Sequence, residues 1–126
     1  MDPLERVKAY KDTSYFLMLA AGQRGHEVFY LNAVDLALDH DRVIASLQPL
    51  HVNDDVDNPF AVEAARWSAL DEMDVVWIRT DPPVDRSYIY ATLLLDLLPE
   101  TTRVVNRPST IRDWNEKLAA LRYPDW

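Results

Sequence analysis

The order of elements legible along this chain is helix, strand, hairpin, strand, helix, strand, helix, and that order predicts an α/β fold. Two stretches carry most of the inference. In the first, Asp74-Val75-Val76-Trp77-Ile78 reads as a buried strand and runs directly into Arg79-Thr80-Asp81-Pro82-Pro83-Val84-Asp85. Proline fixes φ near −65° and restricts the residue before it, so this is a stiff polar loop at the carboxyl end of a strand. That edge is where ligands bind in open α/β sheets. The prolines could equally serve only to break the strand and start a helix. In the second stretch, Val104-Val105-Asn106-Arg107-Pro108 passes through a turn into a helix from about Ser109.

The elements follow in order. Asp12, Thr13 and Ser14 offer caps for a helix from about Ser14 to Arg24. Phe16, Leu19, Ala20 and Gln23 share one face of it, with Tyr15, Met18 and Gly22 beside them. Gly25 suits the left-handed position that ends such a helix. A strand is expected from His26 to Leu31, then a hairpin of Leu36–Leu38 and Arg42–Val52 around Asp39-His40-Asp41. That turn lacks the glycine two-residue hairpins prefer. Residues 53 to 70 are the least regular part, opening on the polar cluster Asn53-Asp54-Asp55-Val56-Asp57-Asn58-Pro59. A calcium loop begun at Asn53 would place Asn58 where glycine is required and Ala64 where the bidentate Glu is required, so a solvated loop is the better reading. Ser87 to Leu98 reads as a helix with Ile89, Leu93 and Leu97 on one stripe and Tyr90, Leu94 and Leu98 beside it. Arg103–Asn106 reads as a short strand. The last helix is expected from Ser109 to Leu121, with Ile111, Asn115, Leu118 and Arg122 at helical spacing.

Composition narrows the chemistry. The chain has 126 residues, 48% hydrophobic and 27% charged, which suits one globular domain. A net charge of −8 argues against nucleic acid, whose affinity rests on Lys and Arg at phosphates. No apolar run is long enough to cross a membrane, and no basic-then-apolar leader is present. The absence of cysteine excludes disulfides and thiolate catalysis and is compatible with a cytoplasmic address, which is the expectation. Only Gly22 and Gly25 occur, so no glycine-rich phosphate cradle lies in this chain. His26, His40 and His51 are scattered, without zinc-like spacing. No residue is put forward as catalytic and none as a metal ligand.

Taken with Tyr88-Ile89-Tyr90-Ala91-Thr92, Arg112-Asp113-Trp114-Asn115-Glu116-Lys117, Met1-Asp2-Pro3-Leu4, Lys11-Asp12-Thr13-Ser14 and Gln23-Arg24-Gly25-His26-Glu27-Val28, the two stretches closely resemble the amino-terminal domain of prokaryotic glutathione synthetase. The resemblance spans nearly the whole chain in order. Thr80 stands where the family carries Lys, which puts a charge role there in doubt. The resemblance implies a Rossmann-like, pre-ATP-grasp domain over residues 1–126: a mostly parallel sheet with flanking helices, the family's first strand missing and the ATP-grasp portion absent from this chain.

The same resemblance implies a ligase that joins γ-glutamylcysteine to glycine with ATP and Mg²⁺ through an acyl phosphate. A carboxylate is a poor electrophile until phosphorylated, and metal and cations offset the charge of that transfer. It implies a nucleotide contact for Lys117, which could otherwise pair with Asp113 one turn earlier. Asp12, Ser14, Arg79 and Asp81 become substrate-side loop candidates, with Arg79 either fixing a substrate carboxylate or pairing with Asp81 or Asp85. The chain alone is expected to be inactive. A non-catalytic, stand-alone α/β binding module is the alternative. A gap left by a missing central strand would leave the chain only marginally stable, or lead it to self-associate through exposed strand edges, to which the helix face of Tyr90, Leu93, Leu94 and Leu97 could add; a homo-oligomer is expected.

Overall fold

A computed structural model describes residues 1–114 and 116–124, with Glu116 and Lys117 described in the backbone only. Strand β3 (Arg42–Val52) organises the larger sheet. Four strands pair with it, all antiparallel: β1 (Phe29–Tyr30), β2 (Leu36–Asp39), β4 (Phe60–Val62) and β5 (Arg66–Ala69). β2 and β5 flank the first half of β3, and β1 and β4 flank its second half. A separate parallel pair joins β6 (Val75–Trp77) to β7 (Arg103–Val105).

The mixed α/β class therefore stands, but the expectation of a mostly parallel sheet is corrected. Parallel neighbours need a crossover connection, usually a helix. Between residues 36 and 69 the chain offers only tight turns and short loops, so it can return only antiparallel. Among the described residues the one helical crossover, α2 (Arg86–Leu95), joins the one parallel pair.

The expected hairpin forms, with Asp39 opposite Arg42. His40 takes the turn's positive φ of 55° in place of the glycine such turns prefer. The strand expected from His26 narrows to Phe29–Tyr30, with Leu50 N–H donating to the Val28 carbonyl just ahead of it. β4 and β5 lie in the stretch expected to be irregular. Their registers differ by one: Leu50 faces Val62 but Leu47 faces Arg66, so residues 63–65 lie opposite only 48 and 49, a bulge.

One core holds Val43, Ala45, Leu47, Leu70, Val76 and Leu95. Alternate residues of β3's first half supply it. In the second half Leu50 is the buried residue, so burial passes to the other face. Helix α1 (Thr13–Gln23) packs against β3 there, with the Tyr15 ring edge-on to Phe60 and its hydroxyl donating to the Asn53 carbonyl. Tyr15, not Phe16, is the buried aromatic of α1. Asp85 caps α2 by accepting from Tyr88 N–H, and the helix buries Ala91, Thr92 and Leu95. Leu93 and Leu97, on the apolar stripe with Ile89, are exposed. Arg42 forms an ion pair with Asp71 that holds the Asp71 carboxyl below its usual range.

The expected last helix is broken. α3 (Pro108–Asp113) stops at Trp114, which is extended, and α4 (Glu116–Ala119) follows. Asn115 lies outside the described residues.

Leu70 is 1% exposed at the centre of the core, so Leu70→Ala should cost about 2–5 kcal/mol in urea unfolding. Val34→Ala, at an exposed position, should change stability by less than about 0.5 kcal/mol. Equal small losses in both would contradict this assignment of the core.

Candidate functional site

Three segments converge at the carboxyl end of β6: the amino terminus, the start of α1, and the loop from Arg79 to Asp85. Asp12 Oδ1 accepts from Ser14 N–H at 2.7 Å, the cap that starts α1. This fixes Ser14 with its Oγ toward β6, where Arg79 Nε donates to it at 3.1 Å. Ser14 is buried and Arg79 is exposed. The two Nη nitrogens of Arg79 have no partner among the described residues, so one side of the guanidinium fork is free. The alternative pairing of Arg79 with Asp81 or Asp85 does not form. Asp85 is occupied as the cap of α2, and Asp81 N–H approaches Asp2 Oδ1 at 3.4 Å.

The structure thus brings Asp12, Ser14 and Arg79 together and sets Asp81 beside them on the adjoining cleft. The side chain of Lys117 lies outside the described residues. Sequence reasoning did not single out Asp2 or Tyr88. Asp2 meets Asp81 across 79 residues, which no local pattern signals. Tyr88 sits three residues after Asp85, a capping spacing that was legible.

The cleft has a volume of about 250 Å³. Leu31, Val76, Trp77 and Ile78 form its apolar wall, and Thr80, Asp81, Asp85, Ser87 and Tyr88 its polar end. Burial, and secondarily the charge of Asp81, push the Tyr88 hydroxyl up, so it remains a protonated donor at neutral pH. The Met1 amino group donates to the Leu31 carbonyl at 2.8 Å, and burial lowers its pKa.

Backbone directions explain why a cleft lies here. Asp74 C=O and Ile78 N–H both bond to β7. Backbone groups of alternate residues in a strand face opposite edges. Val75 and Trp77 therefore point theirs away from β7, Trp77 on the wall of the cleft, and both side chains are about half exposed. On the facing side Val28 C=O bonds to β3, so the carbonyl of Leu31, three residues on, points outward. Two strand edges face each other across the gap. The expected burial of the strand around Val75–Trp77 is met only at Val76.

Among the described residues no three His, Asp or Glu side chains gather in a way that could hold a metal ion, and no helix is long and apolar enough to cross a membrane.

A polar, arginine-bearing loop cluster at the carboxyl end of a parallel strand pair defines an α/β domain whose polar loops gather at one sheet edge. Comparison with known proteins makes this specific. The family described as "Prokaryotic glutathione synthetase, N-terminal domain" matches residues 1–112, and the chain belongs to that family. The glutathione synthetase of Gloeobacter violaceus is 44% identical over 99% of this chain. That of Pseudomonas syringae is 41% identical over 98%, and that of Shewanella oneidensis 39% identical over 94%. The chain spans 38–40% of the length of these relatives. These matches do not favour a stand-alone binding module.

Asp12→Ala removes the cap of α1 and should cost about 1 kcal/mol in thermal or urea unfolding. Thr13→Ala, next to it and exposed, should cost less. Equal stability of Asp12→Ala and the parent chain would contradict the capping role.

Proposed function

We propose that this chain is the substrate-side, amino-terminal domain of a glutathione synthetase, a ligase that joins γ-glutamylcysteine to glycine at the expense of ATP. The family match over residues 1–112 carries the reading, and the loop cluster supports it. In this reading residues 1–126 are one domain of a cytoplasmic, homo-oligomeric enzyme. ATP and Mg²⁺ are cofactors of the full-length enzyme. With two glycines and no metal-capable cluster among its described residues, this chain does not fit either group as a site of its own, and no chemical step is assigned to it.

Its contribution is positional. Arg79, held through Nε by Ser14, offers its free Nη pair to a substrate carboxylate, the geometry that favours bidentate recognition. Asp12 sets Ser14, and Asp81 bounds the cleft. Lys117 is the residue assigned to the nucleotide phosphates.

In the same reading the sheet is of the Rossmann-like, pre-ATP-grasp kind, with an extended apolar segment occupying the gap between β1 and β6. The outward-facing backbone of Val75, Trp77 and Leu31 supports it. A buried unpaired backbone group costs about 1–3 kcal/mol, so filling the gap stabilises both edges. A short apolar strand fused ahead of Met1 should raise the melting temperature. An unchanged transition would contradict this reading of the gap.

The functional test uses a chimera. This chain alone should form no glutathione above a no-protein control. Fused to the carboxyl-terminal portion of the Gloeobacter violaceus relative, it should support ATP-dependent ligation. In that chimera Arg79→Ala should raise KM for γ-glutamylcysteine about tenfold or more, equivalent to the roughly 1.4 kcal/mol of one charge-assisted contact. Lys117→Ala should raise KM for ATP instead. Turnover by the isolated chain, or a folded chimera without activity, would overturn the proposal.

A further inference from the structure

Residues 61 to 67, Ala-Val-Glu-Ala-Ala-Arg-Trp, form an unbroken exposed run along the outer side of β4 and β5. Those strands pair with β3 and with no other described strand. We propose that this edge joins two copies of the chain, antiparallel, about a two-fold axis between Ala64 and Ala65. The proposal rests on the homo-oligomeric reading above and gives it a definite surface.

The register follows from the side chains. About that axis Glu63 of one copy lies opposite Arg66 of its partner, and Val62 opposite Trp67. Ala64 lies opposite Ala65 at the centre, where small residues let backbones approach. Opposite charges and apolar–aromatic pairs placed directly across two strands are the stabilising kinds, and like charges there are destabilising. Each pair occurs twice by symmetry. The chain carries a net charge of −8, which opposes association, yet one Glu and one Arg leave this edge locally neutral.

Backbone directions agree with the same register. Pro59 C=O accepts from Asn53 N–H, just past β3, and Glu63 N–H donates to the Pro49 carbonyl of β3, so Phe60 and Val62 direct their backbone groups outward. The hairpin closes with Asp39 opposite Arg42, so even-numbered residues at that end of β3 bond to β2 and odd-numbered ones to β5. Arg66 and Ser68, opposite Leu47 and Ala45, therefore face β3, and Trp67 faces outward. Val62 and Trp67 can thus exchange hydrogen bonds across the axis. In a regular strand residues of opposite parity would not both face outward. The bulge at 63–65 shifts the parity and makes this register available.

Side-chain faces agree as well. Val62 lies opposite Leu50 and Trp67 opposite Ser46, both even-numbered in β3, so the apolar pair shares one face and the charged pair the other. Exposed edges are usually blunted by Lys or Pro, and this run contains neither. Trp67 is 59% exposed. Glu63 contacts His51 at 2.9 Å, and the Arg66 guanidinium lies 6.0 Å from the Phe29 ring centroid.

Sedimentation velocity of the purified chain across a concentration series tests the proposal, with circular dichroism as a folding control. The parent chain should dimerise. Glu63→Arg or Arg66→Glu alone should weaken the dimer at least tenfold, and the two together should restore it, because each pair is again of opposite charge. Trp67→Lys should also give monomer and serves as an independent variant if a single reversal fails to fold. A parent chain monomeric at every concentration overturns the homo-oligomeric reading and this edge together. A dimer indifferent to the single reversals and to Trp67→Lys overturns the edge and leaves the homo-oligomer standing. Monomeric single variants whose combination stays monomeric overturn the register.

Discussion

Every strand of the larger sheet is tied to β3, and the rest of the molecule depends on that constraint. β1 and β5 are two and four residues long, too short to persist alone. They are strands because an eleven-residue neighbour supplies their hydrogen bonds. β3 also serves two packing layers. Its first half turns Val43, Ala45 and Leu47 toward Leu70, Val76 and Leu95, while its second half turns Leu50 toward the side covered by α1.

That division places the candidate site. α1 is set by the second half of β3 and by its Asp12 cap; β6 and α2 pack against the first half through the shared core. Ser14 and Arg79, 65 residues apart in sequence, meet where the two layers adjoin. A serine at the first turn of a capped helix orients an arginine at the end of a strand. Its outer nitrogens have no partner among the described residues, and two nearby carboxylates, Asp12 and Asp85, accept from helix N–H groups instead. Neutral hydrogen bonding to Ser14 thus positions the guanidinium without a carboxylate partner among the described residues.

Much of this was legible in the residues, and the failures share a cause. The Asp12 cap, the Asp39–Arg42 hairpin, the strand just ahead of Arg79 and the strand at Arg103 all announce themselves through local chemistry. β4 and β5 do not, because strand formation in exposed segments is decided by pairing and not by intrinsic preference. Sheet direction is likewise absent from local pattern; it follows from connection length, and among the described residues only 86–95 supplies a helical crossover. In α2 apolar residues occur on nearly every side, so periodicity alone could not distinguish the buried Ala91–Leu95 face from the exposed Leu93–Leu97 stripe. Asp12, Ser14, Arg79 and Asp81 could be placed near the strand end from local pattern, but the Ser14–Arg79 bond and the proximity of Asp2 to Asp81 arise only from the folded arrangement.

The central claim is that β6 is held on one edge by β7 and open on the other, so that the cleft and its polar loops face outward from a sheet anchored on β3. Residue-resolved amide hydrogen exchange of the native chain tests this most directly. Amides within β3 and the Val76 amide should exchange only through global unfolding. The Val75 and Trp77 amides, pointing away from β7, should exchange by local opening, orders of magnitude faster. Equal protection of Val75, Val76 and Trp77 would contradict the account.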